Sequence, residues 1–220
     1  TTVKGDVYLA KITRIEPSLQ SAFVDFGANR NGFLPLTEIH PDYFKIPSAD
    51  QNELSKLTTK LKQIENINDE NVEVKDEEEI INGENSEISN EESKLLKNNP
   101  RKINPRKIYY DFFRKYKIQD VIKQKQVILV QINKEERGLK GAALTTFLSF
   151  AGRYCVLMPN SMNNDGISRK IGDIEERKKL KAILSSVNIP EKMSVIVRTA
   201  GIGKTKKEIS KDLTYLTSQW

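Results

Sequence analysis

At 220 residues, 30% of them charged and with a mean hydropathy of −0.55, the chain has room for one large domain or two small ones. No apolar run is long enough for a transmembrane helix, which excludes a membrane span of that kind. The net charge of +6 understates how basic most of the chain is: residues 51–100 hold 13 acidic against 6 basic side chains, leaving 30 basic against 17 acidic elsewhere. That surplus favours a polyanionic partner, although a merely solubilising surface would produce the same excess.

The first residues, Thr1-Thr2-Val3-Lys4-Gly5, carry neither a basic n-region nor an apolar h-region, so no signal peptide is expected. With Thr1 in place of an initiator Met, a longer parent chain is expected as well. The single cysteine, Cys155, cannot form an internal disulfide, which suits a reducing cytoplasm.

Val7, Leu9, Lys11 and Thr13 alternate with Tyr8, Ala10, Ile12 and Arg14, the period-2 pattern of a half-buried strand, which Pro17 and Ser18 break. A second strand is predicted over Ser21–Phe26, ending at Gly27, and a third over Gly32–Ile39. Residues 47–107 differ in kind. Nine Asn fall within 51–100, with Glu77-Glu78-Glu79 and almost no aromatics, a composition that buries too little apolar surface to offset chain entropy. This predicts a disordered or weakly helical insertion. Its end, residues 101–117, interleaves Arg101, Lys102, Arg106, Lys107, Arg114, Lys115 and Lys117 with Tyr109, Tyr110, Phe112, Phe113 and Tyr116. Such a segment grips RNA by charge and stacking, or docks its aromatics as a tether. Both readings stand open.

Strand pattern resumes over Gln126–Lys134 and Gly141–Phe147, either side of a turn at Gly138, and again over Tyr154–Met158 and Ser194–Arg198. Between the last two, Leu180, Ile183, Leu184 and Val187 place one apolar stripe on a helix near Ile174–Val187. A final helix over Lys206–Trp220 sets Ile209, Leu213, Leu216 and Trp220 on one face, with its packing partner expected beyond the chain.

Five strands with a long connection between the third and fourth describe an OB-type barrel followed by an α+β part. The segments Gly5-Asp6-Val7-Tyr8-Leu9-Ala10-Lys11-Ile12, Ala22-Phe23-Val24-Asp25-Phe26-Gly27 and Gly32-Phe33-Leu34-Pro35-Leu36 resemble an RNA-binding domain class first described in the largest ribosomal small-subunit protein, here called S-one. Longer motifs are more specific. Arg14-Ile15-Glu16-Pro17-Ser18-Leu19-Gln20, Lys134 through Thr146, Val156-Leu157-Met158-Pro159-Asn160, Gly166-Ile167-Ser168-Arg169 and Val197-Arg198-Thr199-Ala200-Gly201 resemble the ribonuclease E/G family of bacterial endoribonucleases. The likeness covers nearly everything except residues 47–107. Phe26 stands where some members carry Tyr.

The resemblance implies an S-one domain over 1–147, interrupted by the insertion, and over 148–220 most of a 5′-sensor that reads a terminal phosphate. It implies single-stranded RNA as partner, preferably 5′-monophosphorylated, and roles in mRNA decay and in rRNA and tRNA processing. For the parent it implies a cytoplasmic homotetramer, its peripheral association with the inner membrane left open. The parent would use Mg2+ and a structural Zn2+ held by residues outside this chain, so this fragment is expected not to cut RNA.

On barrel strands an exposed phenylalanine stacks bases without sequence choice, whereas most strand phenylalanines are core. The resemblance places Phe23 and Phe33 at RNA-contacting positions and sets Lys140, Lys134 and Lys11 against the phosphate backbone. A terminal monophosphate is a dianion, and Arg beside a hydroxyl or a free backbone N–H suits it. Arg198-Thr199-Ala200-Gly201 supplies that set; Gly201 and Gly203 would let amides approach an anion. By resemblance Arg198 and Thr199 bind the monophosphate, while Arg169, Gly152 and Val156 shape the pocket. On chemistry alone Arg198 equally serves a structural ion pair.

Other patterns lead nowhere. Gly203-Lys204-Thr205 resembles part of a P-loop, but that motif needs Gly where Arg198 stands. His40, the only histidine, has no ligand cluster nearby in sequence and reads as a loop residue. Cys155 reads as a small core filler. Asp6, Asp25 and Asp165 form no obvious metal constellation. Two rival functions remain: a general S-one or ribosome-associated RNA-binding module without end sensing, and a scaffold that docks partners through 101–117.

Overall fold

The computed structural model describes residues 2–70, 105–161, 165–190 and 192–220. Its order is β1 (Val7–Glu16), β2 (Ser21–Asp25), β3 (Gly32–Pro35), α1 (Ser48–Glu70), α2 (Pro105–Phe113), α3 (Ile118–Val121), β4 (Val127–Lys134), β5 (Ala143–Thr145), β6 (Phe150–Ala151), β7 (Cys155–Met158), β8 (Gly166–Ile167), α4 (Ile174–Ser185), β9 (Ser194–Val197) and α5 (Lys206–Gln219). Contacts divide it into one unit of residues 1–45 with 116–220 and another of residues 46–115. Among the described residues no helix is long and apolar enough to cross a membrane.

The first unit opens with a closed barrel in the order β1-β2-β3-β5-β4, the OB-type arrangement. Alternation drives it. Ala10, Ile12, Ala22, Val24, Leu34, Ile128, Val130, Ile132 and Leu144 point inward and are buried, while their neighbours Leu9, Lys11 and Asp25 face solvent. Ile118, Val121 and Ile122, on and just after α3, are fully buried, and α3 packs on β1. The third strand is shorter than its apolar run suggests. It ends at Pro35, whose ring removes a ladder N–H, and Leu36–Glu38 turn as a 3-10 helix.

Beyond the barrel, β6-β7-β9-β8 form a second sheet, antiparallel except for the β8–β9 pair. Cys155, Leu157, Val195 and Val197 project from one face onto Leu180 and Leu184 of α4 and Ile209, Leu213 and Leu216 of α5. The final helix therefore finds its partner within this chain, a correction to the expectation of one beyond it. Polar side chains tie the sheet to the barrel. Buried Gln131 of β4 donates to Ser149 O (2.8 Å) and accepts from Ser149 N (2.9 Å). Asn160, after β7, donates to Thr146 O (2.7 Å) and accepts from Leu148 N (3.0 Å).

Of the stretch 47–107 for which the composition predicts disorder or weak helicity, residues 71–104 lie outside the described residues; on either side of them, in the second unit, α1 and α2 pack together as helices. Among the α1 side chains described, those of residues 48–61, Asp50, Leu54, Leu57 and Leu61 are the ones that withdraw from solvent, a stripe at helical spacing. On α2 the Tyr109 and Phe113 rings meet edge to face at 4.7 Å, as do Phe112 and Phe113 at 5.2 Å. Lys115 binds Glu53 at 2.9 Å and lies 4.2 Å from the Phe112 ring centroid. Arg101 and Lys102 of the basic-aromatic segment lie outside the described residues.

Candidate nucleic-acid interface

Pairing register lines up one residue from each barrel strand. Arg14 of β1 faces Phe23 of β2, Phe23 faces Phe33 of β3, Phe33 bridges to Ala143 of β5, and Ala143 faces Lys134 of β4. The neighbours on β2, β3 and β5, namely Ala22, Val24, Leu34 and Leu144, are buried, so by alternation this row lies on the outer surface. Both phenylalanines are half-buried, neither in the core nor free, and their rings meet edge to face with centroids 5.9 Å apart. The Arg14 guanidinium lies 4.6 Å from the Phe23 ring centroid, and both Arg14 and Lys134 are exposed. An aromatic pair flanked by cations suits a single strand, with bases on rings and phosphates on charges.

Lys140 sits elsewhere, on the exposed hairpin between β4 and β5, where Arg137 and Lys140 exchange backbone hydrogen bonds (3.1 and 3.0 Å) around Gly138 at φ +59°. Arg30, from the β2–β3 turn, donates to Gly138 O, so Arg30, Arg137 and Lys140 gather at one tip. Gly141 has to be glycine: a Cβ there would stand 2.1 Å from Asn31 O. Lys11, also exposed, pairs across from Asp25.

The other predicted residues gather at one edge of the second sheet. Because β8 and β9 run parallel, both deliver their C-terminal ends there, and antiparallel β7 brings its start. Arg198 leaves β9 with its N–H on Tyr154 O (2.7 Å), and Ser168, next to Arg169, donates to Val197 O (2.8 Å). Arg198, Thr199 and Arg169 are exposed; Gly152 and Val156 are half-buried. The Arg198 side chain donates through Nη1 to Gly152 O at 2.7 Å, and its other donors face no partner among the described residues. Lys204 Nζ stands 5.3 Å from the Tyr154 ring centroid, adding a cation. Val156 lies opposite Ile196, on the sheet face away from the helices.

One glycine at this edge does something other than the sequence suggests. The Gly201 N–H is committed to Arg198 O (2.9 Å) within a 3-10 turn, and a Cβ would stand 2.7 Å from Val197 Cγ1. Close packing, rather than an open amide, accounts for Gly201. Gly203 does adopt positive φ, +74°. A further residue, Asp212 of α5, escapes sequence reasoning. Its carboxylate accepts the N–H groups of Arg153 (3.0 Å), Tyr154 (2.9 Å) and Cys155 (3.0 Å). The only signal was an acid set between apolar positions Ile209 and Leu213, indistinguishable from a solvated one.

An open cleft of about 590 Å³ contains none of the predicted site residues. The Tyr8–Phe26 ring pair (5.3 Å) lines it together with Glu135 and Glu136, whose charges oppose phosphate. An extended polyanion needs surface rows rather than a cavity, so the cleft does not displace the row above. His40 is a buried loop residue: its N–H donates to Thr146 Oγ1, Nδ1 accepts from Asp42 N, and burial above all lowers its pKa. Cys155 is buried, and burial, then the Asp212 carboxylate, pushes its thiol up to about 12. Among the described residues no three His, Cys, Asp or Glu side chains converge as metal ligands. Asp25 accepts from Gly27 N and Asp165 from Val195 N.

Fold and surface together define an OB-type barrel carrying a surface row of half-buried aromatic and exposed cationic side chains, joined to a helix-backed α/β part. Residues 149–220 match the ribonuclease E/G family model, and the chain belongs to that family. Aligned over 99% of its length, it is 38% identical to ribonuclease E of Haemophilus influenzae and to ribonuclease E of Escherichia coli, and 24% identical to ribonuclease G of Escherichia coli. It spans 16%, 14% and 32% of those proteins.

Proposed function

We propose that this chain is the RNA-gripping and 5′-end-sensing part of a ribonuclease E/G-type endoribonuclease acting in RNA decay and processing. The barrel row carries single-stranded RNA, bases on Phe23 and Phe33 and phosphates toward Lys134 and Lys140. The sheet edge takes the terminal monophosphate, with Arg198 and Thr199 as donors and Arg169, Gly152 and Val156 as its walls. The observation that carries this reading is the Arg198–Thr199 corner. It is exposed, its guanidinium is aimed by one short hydrogen bond to Gly152 O, and its other donors lack protein partners among the described residues. A dianion bound there completes donors that are already oriented, which costs little ordering on binding. Among the described residues no three His, Cys, Asp or Glu side chains converge as metal ligands, and this reading assigns no residue of the chain to the Mg2+ or Zn2+ implied for the parent.

Binding of one short single-stranded RNA carrying a 5′-monophosphate, a 5′-hydroxyl or a 5′-triphosphate tests the reading. The monophosphate form is expected to bind tightest, and Arg198→Ala to abolish the difference. Equal affinity for all three ends in folded protein defeats the sensor and leaves a general S-one RNA-binding module. That second reading draws on the barrel row, which needs no terminal phosphate to work.

A further inference from the structure

The turn between β6 and β7 ends in three successive backbone amides that converge on one carboxylate from α5. Asp212 Oδ1 accepts from Arg153 N at 3.0 Å, and Oδ2 accepts from Tyr154 N at 2.9 Å and Cys155 N at 3.0 Å. The same carboxylate occupies the space a side chain at residue 152 would need, since a Cβ there would stand 2.6 Å from both oxygens. The Gly152 carbonyl in turn accepts the short bond from Arg198 Nη1, and Arg198 N–H closes onto Tyr154 O, both at 2.7 Å. One chain of contacts therefore runs from α5 through the turn to the guanidinium.

From this geometry we infer that Asp212 is the positioning residue of the phosphate corner: it fixes the 152–154 turn so that Gly152 O can hold the Arg198 fork in the direction a terminal phosphate requires. The inference rests on the reading of Arg198 and Thr199 as a 5′-monophosphate site. Three amides gathered on one anion form a compact nest, and a charged acceptor binds them more strongly than a neutral one. Without that acceptor the amides turn to water, the Gly152 carbonyl loses its fixed direction, and Arg198 samples many rotamers before it meets RNA. Asp212 touches no RNA in this scheme. Its effect passes through Gly152 and Arg198.

The experiment measures the ratio of affinities for 5′-monophosphorylated and 5′-hydroxyl forms of one RNA, on the full chain. The variants are Asp212→Asn, which keeps shape while replacing an anionic acceptor by an amide, and Gly152→Ala, which drives the carboxylate off from the opposite side. Each is expected to lower the ratio about tenfold, the scale of a lost charge-assisted hydrogen bond, and Asp212→Glu to recover part of it. Circular dichroism and thermal melting establish that each variant is folded at the temperature used. A folded Asp212→Asn protein with the wild-type ratio overturns the inference, as does an equal loss on both RNA ends, which marks a purely structural role. If the wild-type chain itself shows no preference, the sensor reading fails first, and the two failures are told apart by that control.

Discussion

A phenylalanine at a barrel surface has two uses, packing and stacking, and truncating the ring separates them. Phe23 and Phe33 lie outside the sealed layer of Ala22, Val24 and Leu34, so truncating either ring removes a stacking surface while leaving the inner core intact. Phe23→Ala and Phe33→Ala are each expected to weaken single-stranded RNA binding about tenfold, within the range for one lost base stack, as read by fluorescence anisotropy. A change confined to stability, with affinity unaltered in folded protein, contradicts their placement on the RNA path. His40 makes a prediction of another kind. Burial lowers its folded pKa, so on acidification the unfolded chain takes up the proton first. Stability is then expected to fall as pH drops below about 6.5 and to level off once the depressed folded value is passed. In His40→Asn, which keeps an acceptor for Asp42 N, melts between pH 7 and pH 5 should show a shallower slope. An identical slope assigns the effect to other groups.

Helix α5 carries both the sheet's core contacts and Asp212, so its start is worth fixing. Thr205 Oγ1 accepts from Glu208 N (3.3 Å) and Glu208 Oε2 accepts from Thr205 N (2.9 Å), a reciprocal capping box. Thr205→Ala is expected to cost about 1 kcal/mol, measurable by urea titration. The backbone and then the hydroxyl hydrogen bond from Thr205 hold the Glu208 carboxyl below its usual value. Its contribution is therefore complete above the unfolded carboxylate pKa and disappears as pH falls through the lower folded one. Most elements at this scale were legible in the sequence because alternation and turn residues agree, as at Gly27 and Gly138. The two-residue strands β6 and β8 are too short to show any period, and only their partners define them. In α1 the Leu54, Leu57 and Leu61 stripe is the sequence signal for a helix, within the weak helicity that its Asn and acid content allows. Asp212 was invisible for a different reason: its partners are main-chain amides 57 to 59 positions away, which no side-chain pattern encodes.

For the molecule as a whole, the division into two units makes residues 46–115 separable by contact. Lys45 N bonds Val121 O at 2.8 Å, so the strand-side ends of the insertion are pinned within the barrel unit itself. Replacing residues 50–107 by a short Gly-Ser linker is expected to leave a cooperatively folded protein, seen by calorimetry, with RNA affinity reduced only modestly; loss of the folded state makes the insertion integral. The barrel also has an uneven circumference. Strands β1 and β2 share a long ladder, whereas β3 meets β5 at the single bridge Phe33↔Ala143, beside the Phe33 N–H bond to Ala142 O (2.8 Å). The narrowest join in the cylinder therefore lies at the backbone of a residue whose ring is assigned to a nucleobase. A strand bound across that join would act as a clasp, so hydrogen–deuterium exchange at the Phe33 amide should slow on adding RNA, while amides within the β1–β2 ladder barely respond.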